Sequence, residues 1–260
     1  MHTRFILIET SHAGNVGATA RAMKVMGFSD LVLVKPRWSN VLRREETIQR
    51  ASGALDVLDQ ARIVDALDDA LEGMTHLCAT AMTPRDFGPP TVEPRPHFAG
   101  LLENQGVAFL FGSERYGMRN EDVYRCHACI RIPTNPQFGS LNLASAVQVL
   151  AYEWRLALGG FANPEQNNAT TTSTPTPTST STSTSTSTST SERADAQQIA
   201  GLLSHWQEAL TAIDFLDPES PKKLIPRLNQ LLNRADLTQE EVHILRGIAK
   251  ATLQASAVKR

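Results

Sequence analysis

A run of threonine and serine divides this 260-residue chain into two parts. Most of residues 163–193 are Thr or Ser, with Pro175 and Pro177 in their midst. Such a segment offers no apolar surface to offset the entropy cost of ordering, so we expect a disordered, flexible linker. The sequence therefore predicts an N-terminal domain over 1–162 and a C-terminal domain over 194–260.

The same Thr/Ser run also fits the glycosylated stalk of a secreted protein. The first residues favour the linker, because no charged segment precedes a longer apolar stretch as in a secretory signal. No run approaches the roughly 18 apolar residues that a membrane helix needs. The three cysteines are too few, and odd in number, for a disulfide scaffold. We therefore expect a cytoplasmic protein with no membrane partner.

The overall charge says little about a nucleic-acid partner. Twenty-five basic and 27 acidic residues give a formal net charge of −2, so an RNA-binding surface would have to be a local patch. One candidate patch, in the C-terminal part, consists of Lys222, Lys223, Arg227 and Arg234. These four charges fit either a solvated helix face or a phosphate-binding surface.

Short apolar runs alternate with helical patterns through the N-terminal part. The runs predict strands at 5–8, 31–34, 77–81, 107–111 and 128–132. The patterns predict helices at 18–26, 47–58, 65–71 and 143–158. Continuous apolar strands are typical of a parallel sheet covered on both faces, so we expect an α/β fold. Three further helical stretches, at 194–213, 221–233 and 238–253, predict a small all-α C-terminal domain.

Three loops carry the candidate chemistry. Residues 9–21 run from a strand through glycines into a helix, an arrangement that favours anions but lacks the Walker lysine and the dinucleotide fingerprint. That absence argues against a nicotinamide dehydrogenase. Residues 111–118 place Glu114 in a strand-to-helix turn, and residues 132–147 enter a helix at Ser140. Taken singly, Ser140 fits a helix N-cap and Glu114 an ordinary turn residue.

Together the three loops resemble the motifs of the SpoU–TrmH branch of the SPOUT RNA methyltransferases. The pattern is N-x-G-x-x-x-R, then F-G-x-E-x-x-G, then I-P followed by S-L-N-x-x-x-A. It is met by Asn15, Gly17, Arg21, Phe111, Gly112, Glu114, Gly117, Ile132, Pro133, Ser140, Leu141, Asn142 and Ala146. Residues 9–12 and the tail from Phe215 resemble the TrmJ type, which methylates the ribose of nucleotide 32 in the tRNA anticodon loop.

The resemblance implies a parallel α/β sheet with a C-terminal trefoil knot that binds S-adenosylmethionine. Knots are rare exceptions, and no pattern in the residues would have produced this expectation. The implied cofactor-binding residues are Thr80, Ala81, Met82, Gly112, Ser113, Glu114, Ile132, Gly139, Ser140 and Leu141. The implied catalytic residues are Arg21, Asn15, Glu114, Ser140 and Asn142.

The implied reaction is attack of a tRNA ribose 2′-oxygen on the sulfonium methyl carbon. The resemblance implies that Arg21 takes the proton from the ribose 2′-hydroxyl. A guanidinium is essentially always charged, however, and is better suited to binding a phosphate. The resemblance implies that Asn15 positions the ribose or Arg21, and that Glu114 orients Arg21 or the loop. It also implies a homodimer with each site near the subunit interface.

Two alternatives stay open: a methyltransferase for ribosomal RNA, and a non-catalytic RNA-binding protein on the same fold. The TrmJ-like tail argues against a ribosomal RNA methyltransferase, whose accessory domain differs. The presence of Arg21 and Asn15 argues against a non-catalytic protein, which should have lost one of them. Cys126 and Cys129 have the C-x-x-C spacing of zinc ligands, but no further ligand pair follows at a convincing spacing. The histidines are scattered along the chain, and only His12 lies in a motif. We therefore expect no metal site.

Overall fold

The computed structural model describes residues 2–81, 83–101, 105–161 and 192–258. Met82 and most of the predicted linker lie outside the described residues. The domain boundaries expected from the Thr/Ser run therefore stay a prediction. Among the helices that the structure describes, none is long and apolar enough to cross a membrane.

The described strands form one parallel sheet of seven, in the order β3-β2-β1-β6-β4-β7-β5. They are β1 (His2–Ile8), β2 (Asp30–Val34), β3 (Arg62–Val64), β4 (His76–Thr80), β5 (Thr91–Val92), β6 (Gly106–Phe111) and β7 (Ala128–Ile130). The predicted α/β class and parallel sheet are confirmed. The short edge strands β3 and β5 were not predicted, because neither contains a continuous apolar run. The knot is not visible in strand order alone and stays a prediction.

Helices cover both faces of the sheet. In the N-terminal part they are α1 (Ala13–Val25), α2 (Glu45–Ala51), α3 (Leu55–Gln60), α4 (Leu67–Leu71), α5 (Pro94–Ala99), α6 (Asn120–Tyr124) and α7 (Leu143–Ala157). The prediction of one helix over 47–58 is wrong. The chain turns at Ser52, whose φ of +52° lies outside the helical region, and so separates α2 from α3. Helix α1 ends as predicted, with Gly27 in the left-handed region at φ +73°.

The centre of the sheet is fully buried, and this packing fixes where the central strands end. Phe5 on β1 and Phe109 on β6 pack with Phe98 and Trp154, contributed by α5 and α7. The indole Nε1 of Trp154 donates a hydrogen bond of 2.9 Å to Thr3 Oγ1 across this core. Because all strands are parallel, their carboxyl ends meet along one edge, and the loops of that edge lie side by side.

The C-terminal helices are α8 (Ala196–Ala212), α9 (Leu224–Ala235) and α10 (Gln239–Val258), which confirms the predicted all-α region. Helix α9 contacts the N-terminal part through amide side chains. Asn233 Nδ2 donates to the carbonyls of Arg125 and Cys126 at 3.2 Å. Lys223 and Arg227 lie over the ring of Phe87. Two of the four cations in the predicted basic patch therefore contact an aromatic ring of the protein.

Replacing Gly17 with Ala is expected to lower the free energy of unfolding by about 3 kcal/mol. A Cβ at this position would lie 2.0 Å from the backbone carbonyl oxygen of Thr47 in α2, and a main-chain atom has little freedom to move. Urea denaturation measures the change. Gly53→Ala is the matched control, since nothing lies within 4 Å of its added Cβ. Equal stability of both variants would contradict the close α1–α2 contact.

Candidate active site

A cavity of about 810 Å³ opens at the carboxyl edge of the sheet. Its walls are the loops that follow β1, β4, β6 and β7, together with residues of α1 and α2. This is the edge at which parallel α/β sheets bind their ligands, and the volume is in the range of small-molecule sites.

The structure places nine of the ten predicted cofactor-binding residues around this cavity. They are Thr80, Ala81, Gly112, Ser113, Glu114, Ile132, Gly139, Ser140 and Leu141. The tenth, Met82, lies outside the described residues. Three strand-end loops that are distant in sequence thus meet at one cavity, but their contact with a cofactor stays a prediction.

The loop after β6 closes on itself as a tight turn. Ser113 N donates to Gly117 O at 3.1 Å, and Gly117 N donates to Ser113 O at 2.8 Å. Gly117 has a φ of +69°, and a Cβ on Gly112 would lie 2.2 Å from the carbonyl carbon of Gly117. The glycine at 112 is therefore required by the turn itself.

Glu114 holds the loop that follows β1. Its carboxylate accepts hydrogen bonds of 2.8–2.9 Å from Thr10 Oγ1, from the amide and hydroxyl of Ser11, and from Asn15 Nδ2. Partial burial raises the pKa of this carboxyl, but the bonds from Asn15 and Ser11 outweigh it and lower the pKa to about 2. Glu114 is therefore ionised at neutral pH and orders the loop of the first motif.

Asn15 and Asn142 extend this network to the third motif. Asn142 Nδ2 donates to Asn15 Oδ1 at 3.0 Å, while Asn142 Oδ1 accepts from the amide of Ala144 at the start of α7. Asn142 is thus the N-cap of that helix, and the prediction that Ser140 caps it is wrong. Ser140 lines the cavity two residues earlier. A chain of hydrogen bonds from Glu114 through Asn15 to Asn142 joins all three motifs.

The predicted catalytic residue Arg21 lies outside the cavity lining. It follows Gly14 and Ala18 at helical spacing on the face of α1 that borders the cavity, and its side chain is exposed. It lies about 4.5 Å beyond Ala18 along the helix axis. The described hydrogen bonds of Glu114 go to the β1 loop and to Asn15 in the first turn of α1, so the expectation that Glu114 orients Arg21 is not supported. The helical spacing therefore indicates that Arg21 lies at the rim of the cavity.

Two arginines and a glutamate line the cavity without having been predicted. Arg50 and Glu46 come from α2, whose sequence carries no recognised motif. Arg85 comes from the proline-rich stretch after β4, where the resemblance is poor. Its Nε is buried and has no hydrogen-bond partner within the described residues. The feature that marks Arg85 as a site residue is this buried nitrogen without a partner, and the fold shows it where the sequence does not.

The structure also brings together three histidines that the sequence analysis treated as scattered. His76 on β4 contacts both His97 on α5 and His127 through tilted rings, with ring centroids 5.2 and 4.9 Å away. Burial lowers the pKa of His76 to about 2 and that of His127 to about 4, and it also lowers the pKa of His97. All three imidazoles are therefore neutral near pH 7.

Loss of the N-cap is expected to have a separate, measurable effect. Asn142→Ala removes the acceptor of the Ala144 amide and the donor to Asn15, so we expect about 1 kcal/mol less stability, in line with other capping residues. Thermal unfolding checks this. Asn40→Ala is the control, because Asn40 precedes a 3-10 turn without a side-chain capping bond. A loss of the same size in both variants would show that capping is not the cause.

The model of the SpoU rRNA Methylase family matches residues 2–152. The chain belongs to the SpoU methylase family. The model of the TrmJ C-terminal domain matches residues 197–260 of the same chain.

Relatives of this SpoU chain match over nearly its whole length. A Pseudomonas aeruginosa protein named tRNA (cytidine/uridine/adenosine-2′-O-)-methyltransferase TrmJ is 40% identical over 257 residues, covering 96% of this chain and 93% of its own. A Photorhabdus laumondii tRNA (cytidine/uridine-2′-O-)-methyltransferase TrmJ is 38% identical over 248 residues, covering 94% of each. The crystal structure of TrmJ from Z. mobilis superposes with a TM-score of 0.76 at 28% identity, covering 96% of this chain and 99% of that one.

Proposed function

We propose that this chain transfers a methyl group from S-adenosylmethionine to a ribose 2′-hydroxyl of tRNA, at nucleotide 32 of the anticodon loop. One observation carries the proposal: the hydrogen-bond chain Glu114–Asn15–Asn142 joins three SpoU motifs around a single cavity. The match of the C-terminal helices to the TrmJ type favours tRNA over ribosomal RNA.

The residues around the cavity fit S-adenosylmethionine. The cofactor carries a carboxylate, and the unpartnered Nε of Arg85 is a buried donor in the same wall. The loops 112–114 and 139–141 bring backbone polar groups to the cavity, and these suit the adenine and ribose. When bound, the cofactor supplies an electrophilic methyl group on a cationic sulfur. The site therefore needs accurate positioning more than charge stabilisation.

Arg21 and Asn15 would act on the RNA. An exposed guanidinium at the rim can hold a phosphate through two parallel hydrogen bonds and so fix the ribose in line with the methyl group. Asn15 is held on both amide atoms by Glu114 and Asn142, so it presents a fixed polar group to the ribose. Glu114 acts through Asn15 and the β1 loop, which makes it a positioning residue. Ser140 also lines the cavity and would contribute its hydroxyl there.

We further propose that the active form is a homodimer, in the cytoplasm where tRNA is modified. Large apolar side chains are exposed around α7 and the loop before it: Tyr152 is 47% exposed, Leu156 46% and Phe138 82%. Tyr152 and Leu156 are four residues apart and share one helix face. Covering this face with a second copy would remove apolar area from water. Sedimentation at twice the 28.4 kDa chain mass is expected; a fully active monomer would contradict the dimer.

The substrate is tested by incubating the purified chain with labelled S-adenosylmethionine and unmodified RNA. Transfer to tRNA transcripts, mapped to one anticodon-loop ribose, would support the proposal. Because the two relatives differ in the bases that their names include, transcripts with cytidine, uridine or adenosine at nucleotide 32 are compared. Transfer to ribosomal RNA alone would support the methyl-transfer reaction but contradict tRNA as the substrate. Cofactor binding without transfer to either RNA would favour a non-catalytic RNA-binding protein.

A further inference from the structure

A cluster of metal-ligating side chains lies away from the cavity, between β4 and α5. His76 and Cys78 are two residues apart on β4 and therefore point to the same face of the sheet. His97, on α5, covers that face. The Nε2 atoms of His76 and His97 are 3.1 Å apart, and Cys78 Sγ lies 3.9 Å from His97 Nε2.

These separations match the edges of a tetrahedral zinc site. Zinc binds imidazole nitrogen at about 2.0 Å and thiolate sulfur at about 2.3 Å, so tetrahedral ligands are separated by about 3.3 Å for two nitrogens and about 3.6 Å for nitrogen and sulfur. The three ligand atoms of this cluster all lie within 4.8 Å of one another. The two separations that involve His97 lie within about 0.3 Å of these edges, and the third, between His76 and Cys78, is at most 4.8 Å, so one ion could bind all three after the ligands draw together.

The chemistry of the ligands points to the same class of ion. Two imidazoles and a thiolate prefer Zn²⁺ and other borderline-soft transition metals over Mg²⁺ or Ca²⁺, which select oxygen. Cys78 is fully buried, whereas His97 is only partly buried and lies toward solvent. An ion would therefore have a route to the cluster past His97.

We propose that His76, Cys78 and His97 form a zinc site that joins α5 to β4. The site is independent of the methyl-transfer chemistry. It would be structural, because β4 runs from this cluster directly to Thr80 and Ala81 in the cavity wall. An ion at the start of the strand would hold that wall in place against α5.

The proposal is tested with tag-free protein that has been stripped with a chelator and then titrated with Co²⁺ as a spectroscopic substitute for Zn²⁺. One Co²⁺ per chain is expected, with the visible bands of tetrahedral cobalt and a near-ultraviolet thiolate-to-cobalt band, and Zn²⁺ should displace it. Cys78→Ser should lose the thiolate band, and His97→Gln should weaken Co²⁺ affinity at least tenfold. Cys126→Ser, another buried cysteine, and His243→Ala, an exposed histidine, should change neither.

X-ray absorption of the zinc-loaded wild-type chain gives the ligand set even if a variant fails to fold. One sulfur and two imidazole nitrogens around the ion, with a water oxygen as the fourth ligand that tetrahedral geometry requires, would support the site. No cobalt spectrum in the wild-type chain, or the same spectrum in Cys78→Ser and His97→Gln, would overturn it. The cluster would then be a hydrogen-bonded pair of neutral histidines beside a buried thiol.

Discussion

Arg21→Ala is expected to reduce methyl transfer to tRNA by about 10²-fold or more while leaving the folding stability unchanged. Arg21 is exposed at the rim of the cavity, so its removal opens no hole in the core. In the proposed function Arg21 holds the RNA phosphate, so its loss would leave the ribose no longer fixed near the methyl group. Single-turnover rates with saturating cofactor measure the effect on the transfer step.

Two further variants separate this role from a general charge effect. Lys24→Ala changes another cation on α1, one that is bound to Asp56 and the carbonyl of Gly53, and it should keep the wild-type rate. Arg21→Lys keeps the positive charge but loses the planar guanidinium with its paired donors. We therefore expect its methyl-transfer rate to lie between those of Arg21→Ala and the wild type. A wild-type rate for Arg21→Ala would remove Arg21 from the mechanism.

Glu114→Gln is expected to lower the free energy of unfolding by about 2 kcal/mol near pH 7 and to slow methyl transfer. The carboxylate accepts three hydrogen bonds from the β1 loop and one from Asn15 in α1, and a neutral amide can replace neither their strength nor their number. Urea denaturation gives the stability, and single-turnover transfer gives the rate. Glu121→Gln, at an exposed acidic residue of α6, is the control and should change neither.

The stability lost in Glu114→Gln should depend on pH in one direction. The pKa of Glu114 is lowered from 4.5 to about 2 in the folded chain, so its stabilising effect is complete above pH 4.5 and is lost as the pH falls toward 2. The difference between wild type and Glu114→Gln should therefore shrink across that window. A difference that stays constant between pH 7 and pH 3 would show that the charge of Glu114 is not responsible.

The sequence was sufficient for the central strands and for the position of the site. Runs such as 5–8 and 107–111 are apolar at every position because both faces of the sheet are covered. The motif loops follow such strands directly, and parallel strands bring their carboxyl ends to one edge. The resemblance to the family assigns Asn15 and Asn142 to one site, and the meeting of the strand ends explains why two residues so distant in sequence share a hydrogen bond.

Features that depend on tertiary contacts could not be predicted in this way. Ser140 and Asn142 both suit a helix N-cap, and only the bond from Asn142 to the Ala144 amide decides between them. His76 and His97 are 21 residues apart on a strand and a helix, and no spacing rule links them. The distance from Arg21 to the cavity depends on how α1 packs against the sheet, which the motif does not encode.

The most direct test of the proposed function uses a tRNA anticodon stem-loop with a single 2′-deoxyribose at nucleotide 32. Transfer of labelled methyl groups to this RNA is compared with transfer to the all-ribose molecule under identical conditions. We predict full transfer to the all-ribose RNA and none to the deoxy-substituted RNA, because the acceptor oxygen is missing. Equal transfer to both would contradict methylation of the nucleotide-32 ribose.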